Sequence, residues 1–134
     1  MDQDSGEKIV LTRIVLGFFG VAWLGYGVYC LISPEQLATI AGVAAQTAWG
    51  ITELRAMYGG VQMAIGASAL IGAILPAWSR WSLQVQLVVY LGLVPARVLS
   101  ALMTGDASQY TIGAIGFEAT SLIVTLVLLR RSRA

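Results

Sequence analysis

Glu53, Arg55, Arg97 and Glu118 stand in or at the edge of long apolar runs of a 134-residue chain. An ionised side chain inside a membrane is costly, so each marks a functional site by default. Two carboxylates and two guanidiniums sum to zero charge, which suits two roles. One is a buried ion-pair network that fixes how the helices meet. The other is a polar pocket in which Arg55 or Arg97 holds a headgroup or carbonyl oxygen. In such a pocket Glu118 or Glu53 would act as acid or base. Tyr58, Gln62 and Tyr90 have the spacing to line it beside them.

Other chemistry is excluded by residue type. The chain has no histidine, which removes Ser-His-Asp and Cys-His catalysis, histidine-ligated haem and the usual zinc sites. Cys30 is the single cysteine, so there is no intramolecular disulfide or thiolate cluster, and it reads as a small buried hydrophobe. The net charge of +1 gives no case for nucleic acid. The 15 glycines are scattered through apolar runs and form no phosphate loop. Neither a metal nor a cofactor is expected.

The elements that must position these residues follow from hydropathy. Hydrophobic residues make up 57 % of the chain and charged residues 11 %, with a mean hydropathy of +0.79. Soluble domains carry about 25 % charged residues. The supply is too small for a water-facing surface, and one integral membrane domain over 1–134 is expected. Four apolar runs, at 9–32, 53–75, 83–103 and 110–129, each suit a helix across about 30 Å of hydrocarbon. The expected fold is an all-α membrane four-helix bundle. Ser33, Pro34 and Gln36 spell a helix start and predict a short interfacial helix over 34–41. Thr52 suits the cap of the second span, and Pro76 ends it. Trp49, Trp78 and Trp81 fall at span ends, where amphipathic rings prefer the interface. Lys8, Arg13, Arg80, Arg130, Arg131 and Arg133 fall on one side, whereas the two opposite connections carry only Glu35 and Asp106. That bias predicts both termini in the cytoplasm. The first span follows a mixed-charge start (Asp2, Asp4, Glu7, Lys8) and is too long for a signal peptide, so it reads as retained.

With this topology Arg97 lies about 9 Å below the outer end of the third span and Glu118 about 12 Å below that of the fourth. Glu53 and Arg55 occupy the first outer turn of the second. All four are therefore expected in the outer half of the bundle. Polar stripes agree: Thr111, Glu118, Ser121 and Thr125 on the fourth span; Gln86, Tyr90, Arg97, Ser100 and Thr104 on the third; Arg55, Tyr58 and Gln62 on the second. They should point inward, because lipid cannot satisfy them. Pro95 frees the carbonyl of Leu91 beside Arg97. Ala56, Gly60, Ala64, Ser68 and Gly72 recur every four residues and predict close helix packing, within the bundle or between two copies.

The run Glu53-Leu54-Arg55-Ala56-Met57-Tyr58-Gly59-Gly60 resembles the signature of a bacterial four-helix membrane family, domain of unknown function 4345. That family is similar to the broad DoxX-like group of small four-span proteins. Arg97 and Glu118 match more loosely, by position. The resemblance implies four membrane helices and no particular activity. Related folds serve as oxidoreductase subunits, assembly factors and sterol-type isomerases, an analogy at fold level alone.

Two functions are weighed on these residues. The first is binding of a small amphipathic lipid-, quinone- or isoprenoid-like molecule at the outer cluster, with or without proton transfer. Here Arg55, Arg97, Tyr58, Gln62 and Tyr90 bind, and Glu118 or Glu53 is the acid or base. The alternative is an accessory or assembly subunit of a larger membrane complex, or a homo-oligomer, with a structural cluster. A transporter is less well served, because the inner half of the bundle lacks ionisable residues. A bacterial cytoplasmic membrane is the expected location.

Overall fold

The structure, a computed structural model, describes the backbone of residues 3–132 and the side chains from Gly6 to Ser132. The side chains of Asp2, Asp4 and Arg133, invoked above for charge, lie outside the described residues. Every described element is helical: α1 (Gln3–Ile32), a 3₁₀ turn (Pro34–Gln36) leading into α2 (Leu37–Ala41), α3 (Ala48–Leu54), a π-helical turn (Arg55–Gly60), α4 (Val61–Ile74), a 3₁₀ turn (Pro76–Trp78), α5 (Ser79–Thr104) and α6 (Gln109–Arg131). Gly6–Ile32, Ala48–Ile74, Pro76–Thr104 and Gln109–Arg131 are long and apolar enough to cross a membrane. This is a multi-pass membrane protein. The first three of these helices begin some residues before the expected spans, because polar residues can extend a helix beyond the hydrocarbon.

Capping differs from expectation in two places. Thr47, not Thr52, caps the second long helix: its hydroxyl accepts from the Gly50 N–H at 3.2 Å, while Thr52 donates back to the Ala48 carbonyl. Ser33 makes no side-chain cap, so the box with Gln36 does not form; Pro34 starts the turn alone. Gly42 and Gly105 adopt positive φ (68° and 69°) and end α2 and α5, as left-handed C-terminal caps require. α5 runs through Pro95 without ending.

α1 packs chiefly on α4 and the π turn, α4 on α5, and α5 on α6. The α1–α4 pair is held by glycine. A Cβ on Gly27 would fall 2.7 Å from the Met63 nitrogen, and one on Gly66 would overlap the Leu24 backbone. Backbones can approach this closely only without side chains between them, the usual basis of helix pairing in lipid. The predicted small-residue ribbon is only partly used for packing: Ser68 and Gly72 are buried, chiefly against α5, whereas Ala56, Gly60 and Ala64 are exposed. A four-residue step overshoots a turn by about 40°, so five such positions fan around the helix instead of sharing one face. The π turn re-phases the first of them further.

Two arginines cap the ends of their antiparallel neighbours. Arg13 Nε donates to the Ala73 carbonyl near the end of α4 (2.7 Å), and Arg55 Nε to the Leu31 carbonyl near the end of α1 (3.1 Å). The last carbonyls of a helix lack intrahelical partners, and a cation there also meets the negative end of the dipole. α2 folds under the end of α1, where Cys30, Leu37 and Leu54 form a small core.

Gly66→Ala should destabilise the protein by about 1–3 kcal/mol through overpacking against α1. Gly60→Ala, with open space over the same atom, should be neutral or stabilise by up to about 1 kcal/mol through helix propensity. Heating with a thiol-reactive dye reads both, because Cys30 is the one thiol and is fully buried.

Candidate functional site

α5 carries the polar stripe that reaches every other long helix. At its N-terminal end Ser82 donates to the Ser68 carbonyl of α4 at 2.6 Å. One turn on, the Gln86 amide donates to the Ile65 carbonyl at 3.1 Å, again on α4. Next, Tyr90, with no exposed surface, accepts from the Trp23 indole of α1 at 2.9 Å. Two turns further, Arg97 meets Glu118 of α6: Nε donates to Oε2 at 2.9 Å and Nη2 to Oε1 at 2.7 Å. This bidentate pair is the strong form of a carboxylate–guanidinium contact. Side-chain exposure is 28 % for Arg97 and 4 % for Glu118. The stripe on α6 also faces inward, with Thr111, Glu118, Ser121 and Thr125 all buried.

A cavity of about 200 Å³ opens beside the pair. Tyr26, Tyr58, Gln62 and Tyr110 supply its polar groups, and Trp23 and Phe117 supply aromatic wall. Two polar atoms here are buried without a partner: the Tyr26 hydroxyl, flanked by Tyr110 and Cys30, and Gln62 Oε1. Arg97 uses two of its five N–H donors on Glu118. The same guanidinium lines a second cavity of about 280 Å³ toward Asp106 and Thr111. Phe117 also lines an apolar groove of about 620 Å³ between α1 and α6, with Phe18, Phe19 and Val124.

The structure thus brings together Arg97, Glu118, Tyr58 and Gln62, with Tyr90 one layer deeper. It does not bring Glu53 or Arg55 to them. Glu53 is exposed and forms no ion pair or hydrogen bond among the described residues, and Arg55 is the exposed cap of α1. The π turn is the physical reason: it alters the phase of the helix between Arg55 and Gln62, so their shared face is lost while Tyr58 and Gln62 turn inward. The cluster of four is a pair. Tyr26, Trp23, Tyr110 and Phe117 were not among the expected site residues. Tyr110, Ala114 and Phe117 step by four and three along α6, a stripe that the sequence did contain.

The model of one family, described as Domain of unknown function (DUF4345), matches residues 11–129. The chain belongs to that family. No curated protein matches it, and no solved structure does. The match spans all four long helices and includes the cavity. The run at 53–60 acquires a structural meaning in this family member. Its Arg-Ala-Met-Tyr-Gly-Gly portion forms the π turn, places Gly59 against Leu31 of α1, and sends Tyr58 to the cavity.

Chemically, the pair is neutral as a whole and both Glu118 oxygens are engaged. Arg97→Met should leave Glu118 buried and unpaired and cost about 3–5 kcal/mol, while the double variant Arg97→Met/Glu118→Leu should recover most of that loss. Thiol labelling of Cys30 on heating separates the two outcomes. Outside the membrane-spanning segments, Asp106 accepts from the Thr111 hydroxyl (2.6 Å) and the Ser108 N–H (2.9 Å) and so fastens the start of α6. The Thr111 bond first, then the Ser108 amide, holds its carboxyl below the usual range. Its stabilisation is therefore complete above the unfolded carboxylate value of about 3.9 and disappears as pH falls through the lower folded value. The melting difference between the protein and its Asp106→Asn variant should hold at about pH 6 and narrow as pH falls below about 3.9.

Proposed function

We propose that the protein binds a small amphipathic molecule with a neutral polar head, of the lipid, quinone or isoprenoid kind. The observation that carries this reading is the pair of unpartnered buried atoms, the Tyr26 hydroxyl and Gln62 Oε1, in the cavity that Arg97 lines. Buried polar groups are ordinarily hydrogen-bonded, so a bound group that both donates and accepts would complete the site. Gln62 Oε1 calls for a donor, and the remaining Arg97 donors call for an oxygen. A hydroxyl or a carbonyl-bearing ring meets both needs. An anionic head fits less well, because Glu118 already neutralises Arg97.

Size supports the same division of the ligand. At about 200 Å³ the cavity is below the usual range of about 300–1,000 Å³ for a whole ligand. It suits a head, and the apolar groove that shares Phe117 suits a tail. Proton transfer is a further step in this proposal, with Glu118 as the acid or base, and it requires Arg97 to release one oxygen. Glu53, exposed and remote from the cavity, takes no part in it. The cytoplasmic placement of both termini and a bacterial inner-membrane location belong to the same proposal and rest on the Lys/Arg bias. The DoxX-like grouping rests on the run at 53–60.

A second reading, an accessory subunit or homo-oligomer, draws on the exposed Ala56, Gly60 and Ala64, where another helix could approach the backbone.

Ala114→Phe narrows the cavity while leaving Arg97 and Glu118 themselves unchanged. Native mass spectrometry of gently solubilised protein should find a stoichiometric neutral lipid-like molecule on the natural chain and about tenfold less on this variant, the effect of roughly 1.4 kcal/mol, with melting of the stripped proteins little changed. Equal retention by both, or a natural chain recovered with water alone in the cavity, would sink the binding reading. Recovery only with a second protein would favour the accessory one.

A further inference from the structure

The opposite end of the bundle carries a different cavity, of about 350 Å³, where the start of α1, the α4–α5 turn and the end of α6 meet. Its rim holds Lys8, Arg80 and Arg131, and no acidic residue among the described ones lines it. Lys8 already has another contact, which leaves the two arginines. Both are exposed, and neither forms an ion pair or a hydrogen bond among the described residues. Below the rim the walls are apolar, with Leu11, Leu83 and Leu128.

Arg131 has an ordinary reason to be here, since it stands in the last turn of α6, where a cation meets the negative end of the helix. Arg80 does not. It is the second residue of α5, beside the positive end of a 26-residue helix, where a cation is disfavoured and an anion is favoured. The field of that helix and the Arg80 guanidinium both favour an anion here, and Arg131 lines the same cavity. Trp78 and Trp81, stacked edge to face with centroids 5.7 Å apart and both exposed, flank Arg80. Exposed tryptophans at a helix end mark the headgroup level of a bilayer. A basic rim over an apolar wall at that level matches a phosphate attached to acyl chains.

We propose that this cavity is a binding site for the phosphate of an anionic lipid, clamped between Arg80 and Arg131. It is independent of the neutral-head cavity at the other end, which lies among different residues. The charge on the ligand comes from the two unneutralised arginines, and selection of lipid over free phosphate comes from the leucine wall.

The test uses the full chain, stripped of lipid in detergent and mixed with phosphatidylglycerol or phosphatidylcholine, read by native mass spectrometry. One phosphatidylglycerol per chain should survive conditions that remove phosphatidylcholine. Arg80→Gln/Arg131→Gln should lower that retention by about thirtyfold. Arg130→Gln, which removes a charge outside the cavity, should leave it unchanged. Both positions are exposed and outside the core, and an unaltered melt of Cys30 labelling checks that the variant folds. Inorganic phosphate that displaces the lipid at similar concentration would assign the site to free phosphate and overturn the lipid as its source. Equal loss in Arg130→Gln would reduce the effect to diffuse surface charge and overturn the site. So would equal retention of the two lipids.

Discussion

Lipid tails are about as apolar as leucine, so pressing leucines together inside a bilayer gains little. The polar minority must instead be removed from lipid, because an unsatisfied donor or acceptor there has no water to turn to. In this protein that constraint falls on one face of α5. Ser82 and Gln86 bind α4, Tyr90 binds α1, and Arg97 binds α6. Each level of the stripe selects a different neighbour, and together the levels fix where all four long helices stand.

Glycine supplies the second half of the arrangement. α1 and α4 meet backbone to backbone, and each end of the pair is closed by an arginine from the partner helix. The tight α1–α4 seam and the tied α4–α5–α6 row leave α1 and α6 apart, and the apolar groove lies between them. The bundle is thus closed on three sides and open on the fourth. Phe117 stands where that opening meets the polar cavity, with its ring 6.4 Å from that of Trp23. The tyrosine-lined cavity and the apolar groove thus share a wall at Phe117.

The two ends of the bundle differ in how charge is handled. Arg97 is neutralised by Glu118 and turned inward, which leaves directional donors but no net field. Arg80 and Arg131 line a cavity rim with no carboxylate partner among the described residues. A guanidinium can therefore serve as a hydrogen-bond fork for a neutral group at one end and as an anion clamp at the other.

Composition by itself determined that the chain lives in a membrane, because 11 % charged residues cannot cover a water-facing surface. Apolar run lengths determined four crossings, and the spacing of Glu118, Ser121 and Thr125 determined which face of α6 turns inward. These are properties of a single helix, fixed by its period. The run at 53–60 was legible as a family signature, but its conformation was not, because nothing in an apolar period of 3.6 marks a π turn. That turn moved Arg55 away from Tyr58 and Gln62 and reduced an expected cluster of four charges to the Arg97–Glu118 pair. The small-residue ribbon dispersed for a related reason, since a four-residue repeat drifts around an α-helix. Sequence period fixes the direction in which a residue leaves its own helix. Only the tertiary structure fixes what stands opposite, because that depends on the depth and rotation at which two helices meet.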